Sequence, residues 1–394
     1  MVSCSAQRCG VYVFTLLVLC GIIAYAVYNS LNTNVPDNTP SSGARAVPSL
    51  RFVVVITRHG NRRPLFSFPK EPYPDIDWGC ELGEITKEGK LEMYNLGQKV
   101  RSLYKGFINN TYSSNDFYAT STALERTLVS GEAFLAGLYP PLGNQIWNKD
   151  IAWQPIPIYT DSPDGSQIGH YPCPRYVSEI TKTSSKVYET NMDIVKNVSD
   201  YLNEYSGGNA SAPHYLYNVW DSLSTDKIEG FVLPEWTKPV YPEPLSYIIG
   251  QLFIAMSAGT DTITRIVSGE LIIQMIGLME EKINSTLTPD YKMYYYSAHD
   301  MTIVALQAIL GIPWDDINGL INPGSAMIWE LHQDSSANYY VQVLYIDGLS
   351  PDLQPVAVNT TGCPNTSCSF PMLLNVTAKF RNFTSVHDEC YSTD

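Results

Sequence analysis

Phe52–Thr57 is apolar without a break until its last residue, which predicts a strand buried on both faces of a parallel sheet. From Thr86 to about Phe107 the period changes. Met93, Leu96, Val100, Leu103 and Tyr104 recur at helical spacing with Lys87, Lys90, Lys99 and Arg101 between them, which predicts an amphipathic helix. Phe117–Thr122 predicts a second short strand, and Thr122 with Glu125 predicts a capping box that opens a helix to about Leu138. Leu245–Ala258 and Ser268–Ile283 predict two further helices. Lys292–Asp300 predicts a strand followed by a capping pattern, Ser297 to Asp300, at the head of a helix through Leu310. Ala326–His332 and Tyr339–Ile346 alternate around a polar turn and predict a late hairpin. Strands feeding helices predict an α/β fold with a mainly parallel central sheet flanked by helices.

Residues 161–244 have another texture, rich in Pro, Gly, Tyr and Ser with short helical patterns such as Val187–Tyr205. They predict an inserted, mostly α-helical cap. Residues 50–160 and 245–394 are then two parts of one α/β core, the second ending in a cysteine-bearing tail. Within residues 1–28, the uncharged run Val11–Tyr28 behind Arg8 predicts a signal peptide or a signal anchor that sends the remainder of the chain across the membrane. Ala24-Tyr25-Ala26 has the form of a cleavage site, yet the run is long enough to span a bilayer, so secretion and type II anchoring both stay open. Cys4 and Cys9 are acylation candidates if a cytoplasmic tail is kept. Residues 29–49, rich in Asn, Thr, Pro and Ser, predict a disordered stalk.

The formal net charge of −14 argues against a nucleic-acid partner and makes the basic cluster Arg58–Arg63 stand out. Eight N-x-Ser/Thr sequons, at Asn109, Asn197, Asn209, Asn284, Asn359, Asn365, Asn375 and Asn382, predict a glycoprotein of the secretory pathway, secreted, lysosomal or anchored. Of the eight cysteines, Cys80, Cys173, Cys363, Cys368 and Cys390 come after the apolar run. In an oxidising compartment most of these pair, Cys363 and Cys368 being near enough for a local loop and one being left over. Their spacing suggests no metal site.

Charge gathers where predicted strands stop: Arg58, His59 and Arg62 after the first, Arg126 after the second, His299 and Asp300 after the third. Ligands of open parallel sheets bind beyond such strand ends. Three arginines beside helix N-termini suit a phosphate group, because guanidinium donors pair with its oxygens at any working pH. A histidine with one unprotonated nitrogen can attack phosphorus, and a carboxyl can protonate the leaving alkoxide. That chemistry calls for no cofactor.

These residues also carry a resemblance. "RHGNRRP", Arg58–Pro64, fits the RHGxRxP signature of the histidine acid phosphatases, the branch of the histidine phosphatase superfamily that holds prostatic- and lysosomal-type acid phosphatases and phytases. His299-Asp300 resembles the family's His-Asp pair, and Ser121–Pro141 resembles the segment with its third phosphate-binding arginine. The resemblance implies an α/β core with a helical cap, no metal, and frequent homodimers. It implies His59 as the phosphorylated nucleophile, Arg58, Arg62, Arg126 and His299 as phosphate-binding residues, and Asp300 as proton donor. It further implies disulfides Cys173–Cys390 and Cys363–Cys368, leaving Cys80 without a counterpart.

Asn61 takes a variable position often held by an acid, and Arg63 the other variable position, where it could face away from the site. His170, His214, His332 and His387 read as surface or loop residues, and Asp164, Trp220 and Asp221 as cap residues that could touch substrate but that nothing singles out. The expected activity is acid phosphatase action on small phosphomonoesters. Alternatives on the same scaffold are a phytase or lysophosphatidate-type phosphatase, and a catalytically silent surface glycoprotein.

Overall fold

The computed structural model describes residues 44–74, 76–160, 173–210, 214–314 and 319–392. The N-terminal apolar segment, the stalk through residue 43, Asp164 and His170 lie outside the described residues. The sheet is organised around β1 (Leu50–Arg58), whose side chains alternate between two cores. Phe52, Val54 and Ile56 pack on one face and Val53 and Val55 on the other, with no exposed surface. A central strand covered by helices on both sides has no polar face, which accounts for its unbroken apolar run.

β1 pairs in parallel with β3 (Met293–Ala298), and β3 pairs in parallel with β2 (Phe117–Ser121). On its other side β1 meets β4 (Ala326–Gln333) antiparallel, and β4 forms the hairpin with β5 (Tyr339–Ile346). β6 (Val356–Val358) and β7 (Ser367–Ser369) both pair antiparallel with β5, giving the order β2-β3-β1-β4-β5-β6 with β7 off that path. The α/β class stands, with a mixed sheet rather than a mainly parallel one. A short turn can join only antiparallel neighbours, and the hairpin builds directly onto β1.

α1 (Lys87–Leu103) and α2 (Glu125–Leu138) cover the Val53 face. The chain then supplies α3 (Pro174–Thr190), α4 (Met192–Tyr205) and α5 (Tyr215–Ile228). Their apolar residues Val198, Leu202, Leu216 and Val219 form one cluster with Leu245, Ile248 and Ile249 of α6 (Leu245–Ala258), so packing does not stop at residue 244. α7 (Asp261–Ile283), α8 (Asp300–Leu310) and α9 (Phe370–Arg381) cover the Phe52 face. α10 (Val386–Tyr391) carries Cys390, which is disulfide-bonded to Cys173 at the head of α3. Cys363 and Cys368 are bonded to each other, and Cys80 is a half-buried free thiol.

Two expectations change at the start of β1. The stalk does not reach residue 49, because the Arg45 amide donates to the Leu103 carbonyl at 2.7 Å and its Nε donates to Glu330 at 3.0 Å. Glu330 has no exposed surface, and a buried carboxylate in mid-strand needs such a partner. His332 is no surface residue either. It is 2% exposed on β4, with Nε2 3.1 Å from Glu330 and its ring stacked on Tyr340.

Candidate active site

Parallel register brings three strand ends level: Arg58 lies beside Ala298, and Ser121 beside Ser297. The residues just past each strand therefore meet. His59 leaves β1, Arg126 sits in the first turn of α2, and His299 and Asp300 begin α8. Gly60 lets the chain turn away under α1, since a Cβ there would stand 2.2 Å from the Gly89 carbonyl oxygen. No other residue fits that approach.

The two histidines are held in defined tautomers. Nδ1 of His59 is 2.9 Å from the Gly60 carbonyl, which can only accept, so Nδ1 carries the proton and Nε2 keeps its lone pair. His299 lies with its ring centre 5.8 Å away and its Nε2 2.9 Å from Thr122 Oγ1. Thr127 spends its hydroxyl proton on the carbonyls of Leu124 and Thr122, at 2.8 and 3.0 Å. Its oxygen, 2.8 Å from Thr122 Oγ1, then accepts from Thr122, which in turn accepts from His299 Nε2–H. Burial, followed by Arg58 and Arg126, holds His59 well below the usual imidazole range. Burial, followed by Arg126, lowers His299 to about 3. Both rings stay neutral in mild acid.

Arg58 and Arg62 are aligned by carboxylates but not satisfied by them. Arg62 makes a paired contact with Asp221 of α5, Nη1 to Oδ2 at 2.9 Å and Nη2 to Oδ1 at 2.8 Å. Burial opposes its charge, but Asp221 outweighs it and raises the Arg62 pKa. Arg58 pairs with Asp300 at 3.2 Å and donates to the Ile321 carbonyl. Arg126 has its pKa lowered by burial and then by Arg62. The Nε–H groups of Arg58, Arg62 and Arg126 are all buried without an acceptor among the described residues. Three such donors around one histidine make a seat for an anion with several oxygens. Burial pushes the Asp300 carboxyl up, yet Arg58 and His299 outweigh it and leave it below its ordinary value. Among the described residues no three His, Cys, Asp or Glu side chains form a group able to hold a metal ion.

Comparison with known proteins decides the family. The profile of the histidine phosphatase superfamily (branch 2) matches residues 49–346. The chain belongs to that family. The phosphatase is 34% identical to lysosomal acid phosphatase of Rattus norvegicus over 324 residues, covering 80% of this chain and 75% of that protein. It is 31% identical to prostatic acid phosphatase of Homo sapiens over 309 residues, covering 75% and 77%. In fold it resembles Hafnia alvei phytase, with a TM-score of 0.63 at 18% identity over 89% of this chain and 99% of that one. The activity of this phosphatase is that of a phosphomonoesterase of the histidine acid phosphatase type.

In the phosphatase His59, Arg62, Arg126, His299 and Asp300 line one cleft of about 730 Å³, and Arg58 borders it through Asp300. The sequence-derived candidates thus converge. Several contributors were not foreseen. Asp221 is 159 residues from Arg62 in the chain, and no local pattern marks it. Ser130 accepts the Gly60 amide at 3.1 Å, and Glu92 accepts the Asn61 amide at 2.7 Å. Burial and then Glu229 push Glu92 up to about 7, and the Asn61 side chain donates to Glu229 at 2.7 Å.

The two expected capping boxes do not form. Leu124, not Thr122, is the N-cap of α2, and His299, not Ser297, is the N-cap of α8. Thr122 is taken by His299, and Ser297 donates to the Thr127 carbonyl at 2.7 Å. The site claims the hydroxyls that the helix ends would have used. Arg63 donates to the Cys80 carbonyl at 3.2 Å and does not line the cleft. His214 does line it.

Proposed function

We propose that the phosphatase works through a covalent phosphohistidine on His59, with Asp300 as proton donor and with Arg58, Arg62 and Arg126 binding the phosphoryl oxygens, joined by His299 as its Nε2–H exchanges Thr122 for a phosphoryl oxygen. The observation that carries this reading is the set of three buried guanidinium Nε–H donors that lack acceptors among the described residues, beside an imidazole whose Nε2 keeps its lone pair. In the first step His59 Nε2 forms a bond to phosphorus while the ester P–O bond breaks and the leaving oxygen takes the Asp300 proton. In the second, water attacks phosphorus, gives its proton to Asp300, and the P–N bond breaks to release phosphate.

Acidic working conditions follow from the charges. Asp300 alone is ionised above a low pKa, because Arg58 and His299 favour its anion. A bound phosphate anion opposes that field and restores the acid form, most readily when the solution is itself acidic. His59, held well below its ordinary value, still keeps its lone pair there. The test is to quench the protein during turnover of a radiolabelled ester and map the label. A base-stable, acid-labile phosphate on His59 is expected; label elsewhere, or none in a burst, rejects the covalent step.

We also assign the body to the secretory pathway. Support comes from the two disulfides and from all eight sequon asparagines being exposed. N-terminal sequencing of the purified protein distinguishes a cut near Ala26 from a retained type II anchor. Homodimer formation is also proposed, from the family's habit, and sedimentation equilibrium tests it.

A further inference from the structure

Gly60 and Gly89 let α1 touch the turn after His59 backbone to backbone, since a Cβ on Gly89 would stand 2.0 Å from the Asn61 carbonyl oxygen. Glu92 follows one helical turn after Gly89, on the same face of α1. Its Oε2 accepts the Asn61 amide at 2.7 Å. The carbonyl of that same peptide group, on Gly60, accepts Nδ1–H of His59 at 2.9 Å. The Gly60–Asn61 peptide is trans, so its N–H and C=O point in opposite directions. One continuous line of hydrogen bonds therefore runs from a carboxyl of α1, through a single peptide, to the imidazole among the arginines.

We propose that Glu92 is a positioning residue for His59 and acts on it through the Gly60–Asn61 peptide group. That role presupposes the reading of His59 as the nucleophile. Where a carboxylate meets a histidine N–H directly, it fixes the tautomer and steadies the ring. Here a peptide unit carries the same influence. Bonding at the amide N–H polarises the peptide and makes its carbonyl oxygen a stronger acceptor. His59 Nδ1–H is then held harder, and Nε2, which keeps the lone pair, becomes the better nucleophile. The turn is pinned independently of Glu92. The His59 amide donates to the Ala298 carbonyl at 3.2 Å, the Gly60 amide to Ser130 Oγ at 3.1 Å, and the Gly324 amide to the His59 carbonyl at 3.1 Å. Among the described residues the charged groups facing Glu92 are Glu229 at the end of α5, Arg58 of β1 and Glu88 of α1 itself, while the loop before β4 meets it through Gly324. Burial and then Glu229 put its titration at about 7, so the line is weaker in acid, where the carboxyl is neutral, and stronger where it is an anion.

The test reads His59 itself. In the full chain labelled with ring-15N histidine, with His59 assigned by its loss in His59→Ala, the two ring-nitrogen shifts are followed from about pH 5 to about pH 9. An inflection at about 7 is expected in the parent and none in Glu92→Gln. This readout needs no turnover, so it fails or survives separately from the covalent step. On p-nitrophenyl phosphate at about pH 5, Glu92→Leu is expected to lower kcat/KM about tenfold, the scale of one hydrogen bond, while the inhibition constant of inorganic phosphate moves less than about twofold. Glu92→Gln keeps an acceptor oxygen and is expected to stay within about threefold of the parent. An inflection missing from the parent or persisting in Glu92→Gln overturns the role. So does undiminished kcat/KM in Glu92→Leu, or phosphate affinity lost in step with kcat/KM, which would mean that Glu92 only packs the turn. Should the leucine protein fail to fold, the two titrations decide alone.

Discussion

The two ends of β1 each hold a buried cluster of charge, and they are built on opposite plans. At the Leu50 end, Glu330 accepts from Arg45, from the Tyr104 hydroxyl at 2.7 Å and from His332 at 3.1 Å, and His332 Nδ1 is met by Ser49 at 3.0 Å. Its demands are met from within. At the Arg58 end, three arginines face two carboxylates, Asp300 and Asp221, and three Nε–H groups are left without acceptors among the described residues. Burial is common to both, so burial alone does not mark a functional site. What marks it is donor capacity exceeding what the protein supplies, because a buried polar group without a partner costs free energy that a ligand can recover.

The sharpest way to break this contrast is at His59. His59→Ala is expected to lower kcat on p-nitrophenyl phosphate by about 10⁴-fold or more, with urea unfolding little changed. Retention of most activity would make the open cluster an anion-binding device and no more. Next, Arg126→Ala should lower kcat/KM by about 10²–10³-fold and weaken inhibition by inorganic phosphate, the usual effect of removing one transition-state donor.

At the closed end, Glu330→Ala should reduce unfolding free energy by about 2–4 kcal/mol, since it strands a half-exposed Arg45 and a buried His332, while kcat moves less than about twofold. The sign with pH is fixed. Burial raises the Glu330 pKa but Arg45 and His332 bring it below its ordinary value. The stability it gives is full above the unfolded carboxylate pKa of about 4.3 and fades as pH falls through the lower folded value, so the mutant's deficit should shrink in acid. The smallest effect is in the pH profile. Arg126→Gln removes a cation that repels protons from both rings, so the acid limb of kcat/KM should move upward, by less than about one pH unit. A downward shift would show that neither ring governs that limb.

Periodicity placed β1, α1, α6 and α8 because each is an apolar pattern written into consecutive residues. The strand-end cluster was legible for the same reason: RHGNRRP is contiguous, and His299-Asp300 comes directly after a recognisable strand. What stayed hidden depends on contacts between distant segments. Asp221 orients Arg62 from a helix of the cap, and nothing in its neighbours distinguishes it from a solvated helix acid. Alternation in Ala326–His332 shows a strand but not its partner, so the antiparallel join to β1 was not foreseen. Thr122 and Ser297 looked like caps because sequence registers spacing, whereas the fold gives their hydroxyls to His299 and to the Thr127 carbonyl.

The link between Cys173 and Cys390 spans 217 residues and fastens α3, one wall of the cleft, to α10. During synthesis the earlier cysteine enters an oxidising compartment long before its mate, with Cys80 already there as a competing thiol. Correct maturation therefore requires the first two to remain unjoined until most of the polypeptide has been translocated. A Cys80→Ser protein should mature with fewer mispaired forms than the parent.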